Sequence, residues 1–390
     1  MAFLKQKMVW IGLLILVLVL VVFGAAMMGS VVSIKPKDVP VALVVLDQPV
    51  DLPAGGKLAI GDTLKEKLTG NKNLPITWTV VASEEEARAG LDDREYYGAL
   101  VLPADLSAGV ASMMSPAPKA ATALVIANEG LNTQASTVVK QGLGLAIKMV
   151  NTELSKSMLE QMGKATGQIP VASAQALLSP INVTEETVHA VGSNNATGNA
   201  PGMLTQIMWM GSLVTAMVLF LSNGSARKAG LGKWQALIAQ PIVGTVFVGI
   251  GSGFLVWMAS SWYGMELAQA TATWLFLWLA GAAFFFIQSA LLGWIGFPAM
   301  GILVVLMFFS MPLLNMAPEF LSAASHDWIY SWTPLRFVAV GLREVMYFGG
   351  LDAASGNAAV LWSIAGGFLV LLLLSGLKKG KAQAASNSAA

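Results

Sequence analysis

The chain contains no cysteine and only two histidines, His189 and His326. Without thiols there can be no disulfide framework, thiolate zinc site, iron–sulfur cluster or cysteine nucleophile. Two histidines are too few for a histidine-based metal cluster within one chain. The G-x-x-x-x-G-K-[ST] pattern, whose backbone amides cradle nucleotide phosphates, is also missing, so no ATPase activity is expected of this chain alone. Charge is scarce as well. Asp, Glu, Lys and Arg make up 12% of the 390 residues against 55% hydrophobic, where an ordinary soluble domain carries about 25% charged residues. A formal net charge of +1 gives no support to nucleic-acid binding. Ser325, His326 and Asp327 stand together, but a Ser–His–Asp relay normally draws its members from distant segments. They are expected in an outer loop after Pro318.

Apolar sequence is abundant, and it comes in long runs. Residues 9–29, VWIGLLILVLVLVVFGAAMMG, carry no charge and follow Lys5 and Lys7. The run is long enough for a ~30 Å hydrocarbon core and longer than the ~7–15 residues of a signal-peptide core, so a retained anchor is expected. Five further spans are expected at about 203–222, 235–258, 270–291, 298–314 and 358–377. With the N-terminus inside, the inside segments hold Lys5, Lys7, Arg227, Lys228, Lys233, Lys378, Lys379 and Lys381 and no acidic residue, as the positive-inside rule requires. Trp234 and Trp294 fall at inner span ends, Trp257, Trp262, Trp328 and Trp332 at outer ones. The spans contain no Asp, Glu, Lys, Arg or His; Thr205, Gln206, Thr215, Gln240 beside Pro241, and Gln288 are among the few polar positions. Ion-coupled transporters usually bury an ionisable group in the membrane, so any work done here needs an outside energy source.

Residues 31–202 have near-normal soluble composition. Strands are expected at 41–47, 76–81, 97–103 and 122–128 and helices at 59–70, 83–93 and 104–114, with Ser83 as cap and Glu86 completing a capping box. This alternation points to a layered α/β domain. Residues 132–164 form a long amphipathic helix with Val139, Leu143, Ala146, Val150, Leu154 and Met158 on one stripe, a packing surface. Residues 185–202 read as a Gly/Asn/Pro linker to the bilayer. Asn182 and Asn195 match N-x-[ST], which matters only in a glycosylating compartment.

The stretch SWTPLRFVAVGLREVMYFGG (331–350) is apolar yet carries two arginines and a glutamate. Arg336, Arg343, Glu344 and Tyr347 fall within about 100° of a helical wheel. Thr333 suits the cap, Pro334 the first turn, and Gly349-Gly350 the end. An interfacial helix over 334–348 is expected, dipping into the outer leaflet with its arginines at headgroups or at Glu344. Burying a guanidinium at mid-bilayer would cost at least ~2.5–3.5 kcal/mol.

One span, a large outside domain, five more spans and a broken amphipathic segment before the last resemble the ABC type-2 exporter permeases. Within them the chain is most similar to the YhgE/Pip branch. The likeness is carried by VPVALVVLDQP (39–49), YYGALVLPADLSAGV (96–110), NAPGMLTQIMWMGSL (199–213) and PLRFVAVGLREVMYFGG (334–350). The fold class expected is a polytopic α-helical membrane protein of six transmembrane helices with an extracytoplasmic α/β domain between helices 1 and 2. Residues 1–30 form the anchor, 31–202 the outside domain, 203–377 a five-helix membrane domain and 378–390 a cytoplasmic basic tail. The resemblance implies a homodimer driven by a separate cytoplasmic ATPase subunit that holds the ATP, in contact with membrane lipids, with no cofactor in this chain. It implies export of an amphiphilic, lipid-like or drug-like substrate. Coupling is expected largely through residues 223–234, above all Arg227, Lys228, Lys233 and Trp234, with a small turn at 292–297, and an outer gate at Arg336, Arg343, Glu344 and Tyr347. The other reading left open is a non-transporting scaffold or surface receptor whose outside domain binds a partner.

Overall fold

A computed structural model of the chain describes residues 21, 36–51, 56–71, 74–113, 115, 117–166 and 171–378. The anchor expected over 9–29 and the tail beyond Lys378, with Lys5, Lys7, Lys379 and Lys381, lie outside the described residues. Residues 35–190 form one unit and the chain from Val191 onward another.

In the first unit, β1 (Val39–Val45), a short β2 (Val50–Asp51) and β3 (Lys57–Leu58) hairpin, α1 (Ile60–Gly70), β4 (Ile76–Val81), α2 (Glu84–Asp92) and β5 (Gly98–Leu102) follow in order. Then come α3 (Leu106–Ser112), β6 (Ala121–Asn128), α4 (Thr133–Thr166), α5 (Val171–Ala176) and β7 (Ile181–Val188). The sheet order is β4-β1-β5-β6-β7, parallel except for the β5–β6 pair. Continuous apolar runs put β1 and β5 in the middle, where both faces are covered. The α2 helix covers the face of Ala42, Val44, Ala99, Val101 and Ile126. The α4 helix lies on the other face, where a Cβ on Gly98 would meet Val139 Cγ1 at 2.8 Å. In the expected stripe Val139, Leu143, Ala146 and Met158 are buried.

Two polar clamps organise this unit. Asp47, just past β1, accepts from the Gly61 amide (2.7 Å), the Ser107 amide (2.7 Å) and the Ser107 hydroxyl (2.6 Å). One carboxylate thereby serves the amino ends of two helices, where unpaired amides and the helix dipole both favour an anion. On α2, Ser83 accepts from the Glu86 amide at 3.1 Å and Glu86 from the Ala82 amide at 2.8 Å, a displaced form of the expected capping box.

The linker expected over 185–202 is not one. Its first residues complete β7, which the sequence hides because Asn182–Glu185 are all exposed and show no alternation. Arg88 on α2 fixes that strand with a paired bond to Glu186, Nη1 to Oε1 at 2.8 Å and Nη2 to Oε2 at 2.7 Å. The later residues belong to the second unit, moving the boundary from 202 to 190. There the Ser193 amide donates to Glu266 Oε2 (2.8 Å), Asn195 Nδ2 to the Glu266 carbonyl (2.9 Å) and Asn194 Nδ2 to the Gly264 carbonyl (3.0 Å). The turn needs positive φ at Asn194, Ala196 and Thr197. Asn195 is buried, so its triplet offers no accessible amide.

In the second unit, α6 (Ala200–Lys228), α7 (Lys233–Ser261), α8 (Ala270–Ile295), α9 (Ala299–Ser310), α10 (Pro334–Tyr347) and α11 (Ser355–Leu374) follow in order. Helices Ala200–Lys228, Lys233–Ser261, Ala270–Ile295 and Ser355–Leu377 are long and apolar enough to cross a membrane. The fifth expected span, 298–314, is shorter. Its apolar helix runs Ala299–Leu313, about 22 Å at 1.5 Å per residue, and tightens to a 3-10 turn at Met311–Leu313. Pro312 has no amide to continue the α-helical ladder.

The bundle is built around α8. Every residue from Ala280 to Ala290 is buried, as expected for a helix apolar on all sides. Lipid chains are as apolar as leucine, so helix association here depends on close packing rather than on the hydrophobic effect. Glycines supply it. A Cβ on Gly244 would meet the Phe285 ring at 2.1 Å, on Gly249 the Trp278 indole at 2.6 Å, and on Gly281 Met208 Cε at 2.3 Å. The two indoles facing α7, Trp274 and Trp278, donate to the carbonyls of Gly249 (3.0 Å) and Thr245 (2.8 Å) and stack on each other, so their N–H groups are satisfied.

Two expectations follow. The Arg88 guanidinium, through its bonds to the carboxylate, holds Glu186 below its ordinary pKa of 4.5. The pair therefore stabilises β7 above pH 4.5 and loses that effect as pH falls through the lowered value. The side chains are 36% and 40% exposed, so Glu186→Gln should cost only ~0.2–1 kcal/mol at pH 7. Urea-dependent amide exchange of β7 in the full chain should separate the variant from wild type at pH 7 and merge them at strongly acid pH. In the bundle, Gly249→Leu should lower the folded yield several-fold by overpacking against Trp278, whereas Gly251→Ala, with nothing within 4 Å of the new Cβ, should extract normally.

Candidate functional site at the two ends of the helix bundle

The expected coupling residues gather at one end. Lys233 Nζ donates to the Lys378 carbonyl at 2.9 Å, Lys378 Nζ to the Trp294 carbonyl at 2.7 Å, and Trp294 Nε1 to the Leu371 carbonyl at 2.9 Å. A Cβ on Gly376 would meet Trp234 at 3.0 Å. The start of α7 and the ends of α8 and α11 therefore lie together. Arg227 and Lys228 close α6 there, where cations offset the negative end of the helix dipole. No Asp or Glu occurs in 220–240, 286–300 or 368–378. Because α8 ends at this end while α11 starts at the other, the chain between Trp294 and Ser355 traverses the bundle once. The short α9 is the apolar helix of that stretch.

At this end Pro241 interrupts the hydrogen-bond ladder of α7 by leaving the Leu237 carbonyl without its helical donor. Beside it Gln240 is buried, with Oε1 accepting from Asn223 Nδ2 of α6 at 3.0 Å. Arg227, Lys228, Lys233 and Gln240 line one pocket, while Trp234 stands outside it, about half exposed.

The expected gate residues all lie on α10, at the other end. Thr333 occupies the cap position, but its hydroxyl is 2.6 Å from Ser310 of α9 and does not cap. Pro334 opens the helix, and Gly349 and Gly350, both at positive φ, end it. The helix is less interfacial than expected. It packs on α6, α8 and α11, with Leu335, Val338, Leu342 and Val345 fully buried. The reason is Gly341, where a Cβ would come 2.2 Å from the Phe276 ring of α8. Only a glycine lets α10 sink this far, and it takes Arg343 with it, to 9% exposure. Arg343 therefore lies in the packed end of the bundle. Arg336 stays half-buried over the rings of Tyr330 (4.9 Å) and Phe337 (4.6 Å), in cation–π geometry. Glu344 accepts from Asn357 Nδ2 of α11 at 2.8 Å. Tyr347 is half-buried and packs against the bundle core. The four residues share one helix, and the charges of Arg336 and Arg343 both bear on Tyr330.

The string at 322–327 forms no relay. The His326 ring nitrogen Nδ1 is 2.8 Å from Asp327 Oδ1, while the Ser325 hydroxyl oxygen accepts from Ser322. Sequence reasoning missed the Glu344–Asn357 link, since nothing in either segment marks them as neighbours. It named Gln240, but only as one polar residue in a span.

A fully buried apolar helix ringed by others, with a basic end and an amphipathic helix sunk into the opposite end, marks a multi-pass membrane protein. The chain belongs to the ABC-2 transporters: the family model described as ABC-2 family transporter protein matches residues 7–376. No match was found among curated proteins or among solved structures. The chain is thus a membrane permease component, and its family implies a partner ATPase subunit.

Asn357→Ala removes one donor to the Glu344 carboxylate. A hydrogen bond to a charged group contributes about 1.5–3 kcal/mol. The thermal aggregation midpoint of the detergent-solubilised chain should fall by several degrees for Asn357→Ala and stay unchanged for Ser355→Ala, an exposed position on the same helix.

Proposed function

We propose that this permease is the membrane subunit of an ATP-driven exporter of the YhgE/Pip-like branch. A separate cytoplasmic ATPase energises it, and an amphiphilic, lipid-like or drug-like substrate moves outward. The observation that carries this reading is the sorting of charge in a chain of the ABC-2 family. Arg227, Lys228, Lys233 and Lys378 collect at one end of the bundle with no carboxylate in the helix ends that form it. By the positive-inside rule that end faces the cytoplasm. Both termini are then inside, residues 35–190 outside, and α10 lies toward the outer face of a bacterial plasma membrane. The family likeness further supports a homodimer.

The coupling surface is the turn between α6 and α7, with Arg227, Lys228, Lys233 and Trp234 presented to the ATPase. Pro241 weakens α7 two turns further in, so a push at the turn can bend that helix. The outer gate is α10. It touches α6, α8 and α11 together, so a shift of any of them reaches it, and Arg336 on its rings anchors its first turn. The membrane helices carry no ionisable side chain in their cores, which suits an amphiphile better than an ion.

Copurification from native membranes should bring down an ATPase with a phosphate-binding loop, and ATP turnover should appear in the complex and not in the isolated chain. A single cysteine at Ala229, exposed at the end of α6, should react with an impermeant thiol reagent only after the membrane is opened. Labelling in intact cells would overturn the orientation. Recovery of secretion components with no ATPase would overturn the exporter reading in favour of a scaffold.

A further inference from the structure

A cavity of about 340 Å³ opens at the basic end of the bundle, between α6, α7, α8 and α11. At ~30 Å³ per water it would hold roughly eleven waters, more than a structural-water site needs. Its mouth carries Arg227, Lys228 and Lys233. Its floor carries Gln240 and Ser289, both buried, and here two polar groups are left over. Gln240 Nε2 and the Ser289 hydroxyl have no hydrogen-bond partner, although Gln240 Oε1 is engaged by Asn223. Gln240 is seven residues beyond Lys233, about 10 Å along the helix axis, deeper than the ~5–8 Å headgroup layer of a bilayer. Unsatisfied donors at that depth are costly unless something fills the site.

The chemistry of the lining is one-sided. Its charged groups are three cations, beside the neutral polar side chains of Asn223, Ser225, Gln240, Ser289 and Ser375 and the amino end of α7, whose cap residue Gly232 has no side chain to satisfy it. The helix ends that form the pocket contain no carboxylate. Such a site suits phosphate oxygens and offers no counter-charge to a quaternary ammonium group. The rim is apolar, with Phe220, Leu237 and Leu372, and Leu221 continues it onto the exposed outer side of α6.

We propose that this pocket binds the phosphodiester of an anionic phospholipid, drawn from the leaflet at the basic end, with its acyl chains passing out over Leu221. Gln240, which keeps a small exposed surface above the fully buried Ser289, donates to a phosphate oxygen from below, and the cations neutralise it at the mouth. Zwitterionic lipids are disfavoured because their ammonium would face the same cations. The site requires only that this end meets a headgroup layer and holds whether or not the chain exports anything. Because its floor is buried, an ATPase docked on the turn would not touch Gln240 or Ser289.

The test is native mass spectrometry of the purified full chain with dioctanoyl phosphatidylglycerol, dioctanoyl phosphatidylcholine or inorganic phosphate added. The phosphatidylglycerol adduct should be retained at least about tenfold better than the phosphatidylcholine one, as charge-assisted bonds imply. Gln240→Glu keeps an acceptor for Asn223 but aims a carboxylate into the pocket, and should lower that retention about tenfold. The pair Arg227→Ala with Lys228→Ala, both exposed and therefore tolerant of substitution, should do the same even if the floor variant extracts poorly. Lys148→Ala, in the first unit, should change nothing. Equal retention of the two lipids, or phosphatidylglycerol binding untouched by either variant, would overturn the site. Displacement of the lipid by equimolar inorganic phosphate would overturn its assignment to a lipid.

Discussion

Everything in the membrane unit depends on one helix having no outer face. From Ala280 to Ala290, α8 is closed on all sides, and in a bilayer that burial has no hydrophobic driving force to support it. What replaces it is the depth to which neighbours approach. Gly244 and Gly249 of α7 and Gly281 of α8 itself remove the Cβ atoms that would hold helices apart. The large side chains facing those gaps, Phe285, Trp278 and Met208, then fill them. Trp274 and Trp278 add indole N–H bonds to α7 carbonyls near Pro241, and so bind a helix whose own ladder is interrupted.

The two ends of this bundle have different physics. At the basic end the helix termini are drawn together by lysine-to-carbonyl bonds, in which cations satisfy the otherwise orphaned carbonyls of α8 and the tail of α11. The arrangement leaves positive charge around a polar cavity and supplies no counter-charge within the helix ends. At the opposite end the contacts are apolar and close. There Gly341 lets α10 seat against Phe276, while Asn357 donates to Glu344 and aromatic faces receive Arg336. One end thus gathers cations around a polar cavity, and the other gathers close apolar contacts.

The α/β unit follows ordinary layered packing, yet its order rests on a few polar residues. Asp47 closes the amino ends of α1 and α3 at once, and this leaves no room for a Cβ at Gly61, where it would lie 2.5 Å from the Asp47 Cβ. Arg88 holds an edge strand that is exposed along much of its length and would otherwise have only β6 to pair with.

The sequence by itself determined the membrane class, the division into an α/β part and a helical part, four of the strands, and the grouping of basic residues. Those features follow from local pattern: period, run length, capping residues and the sign of charge along the chain. It also placed α10 within a residue of its ends, because Pro334 and the Gly349-Gly350 pair act on their own backbone. Tertiary structure alone decided the rest. Strand β7 has no alternation to announce it and exists because β6 and Arg88 offer it partners. The supposed linker became a fixed turn because Glu266, over seventy residues away, accepts its amides. Arg343 is buried because a glycine two residues earlier meets a phenylalanine on another helix, and Gln240 lines a cavity because four helix ends converge on it. Each of these depends on contacts between segments distant in the chain, and burial and cavity shape are properties of such contacts rather than of any local pattern.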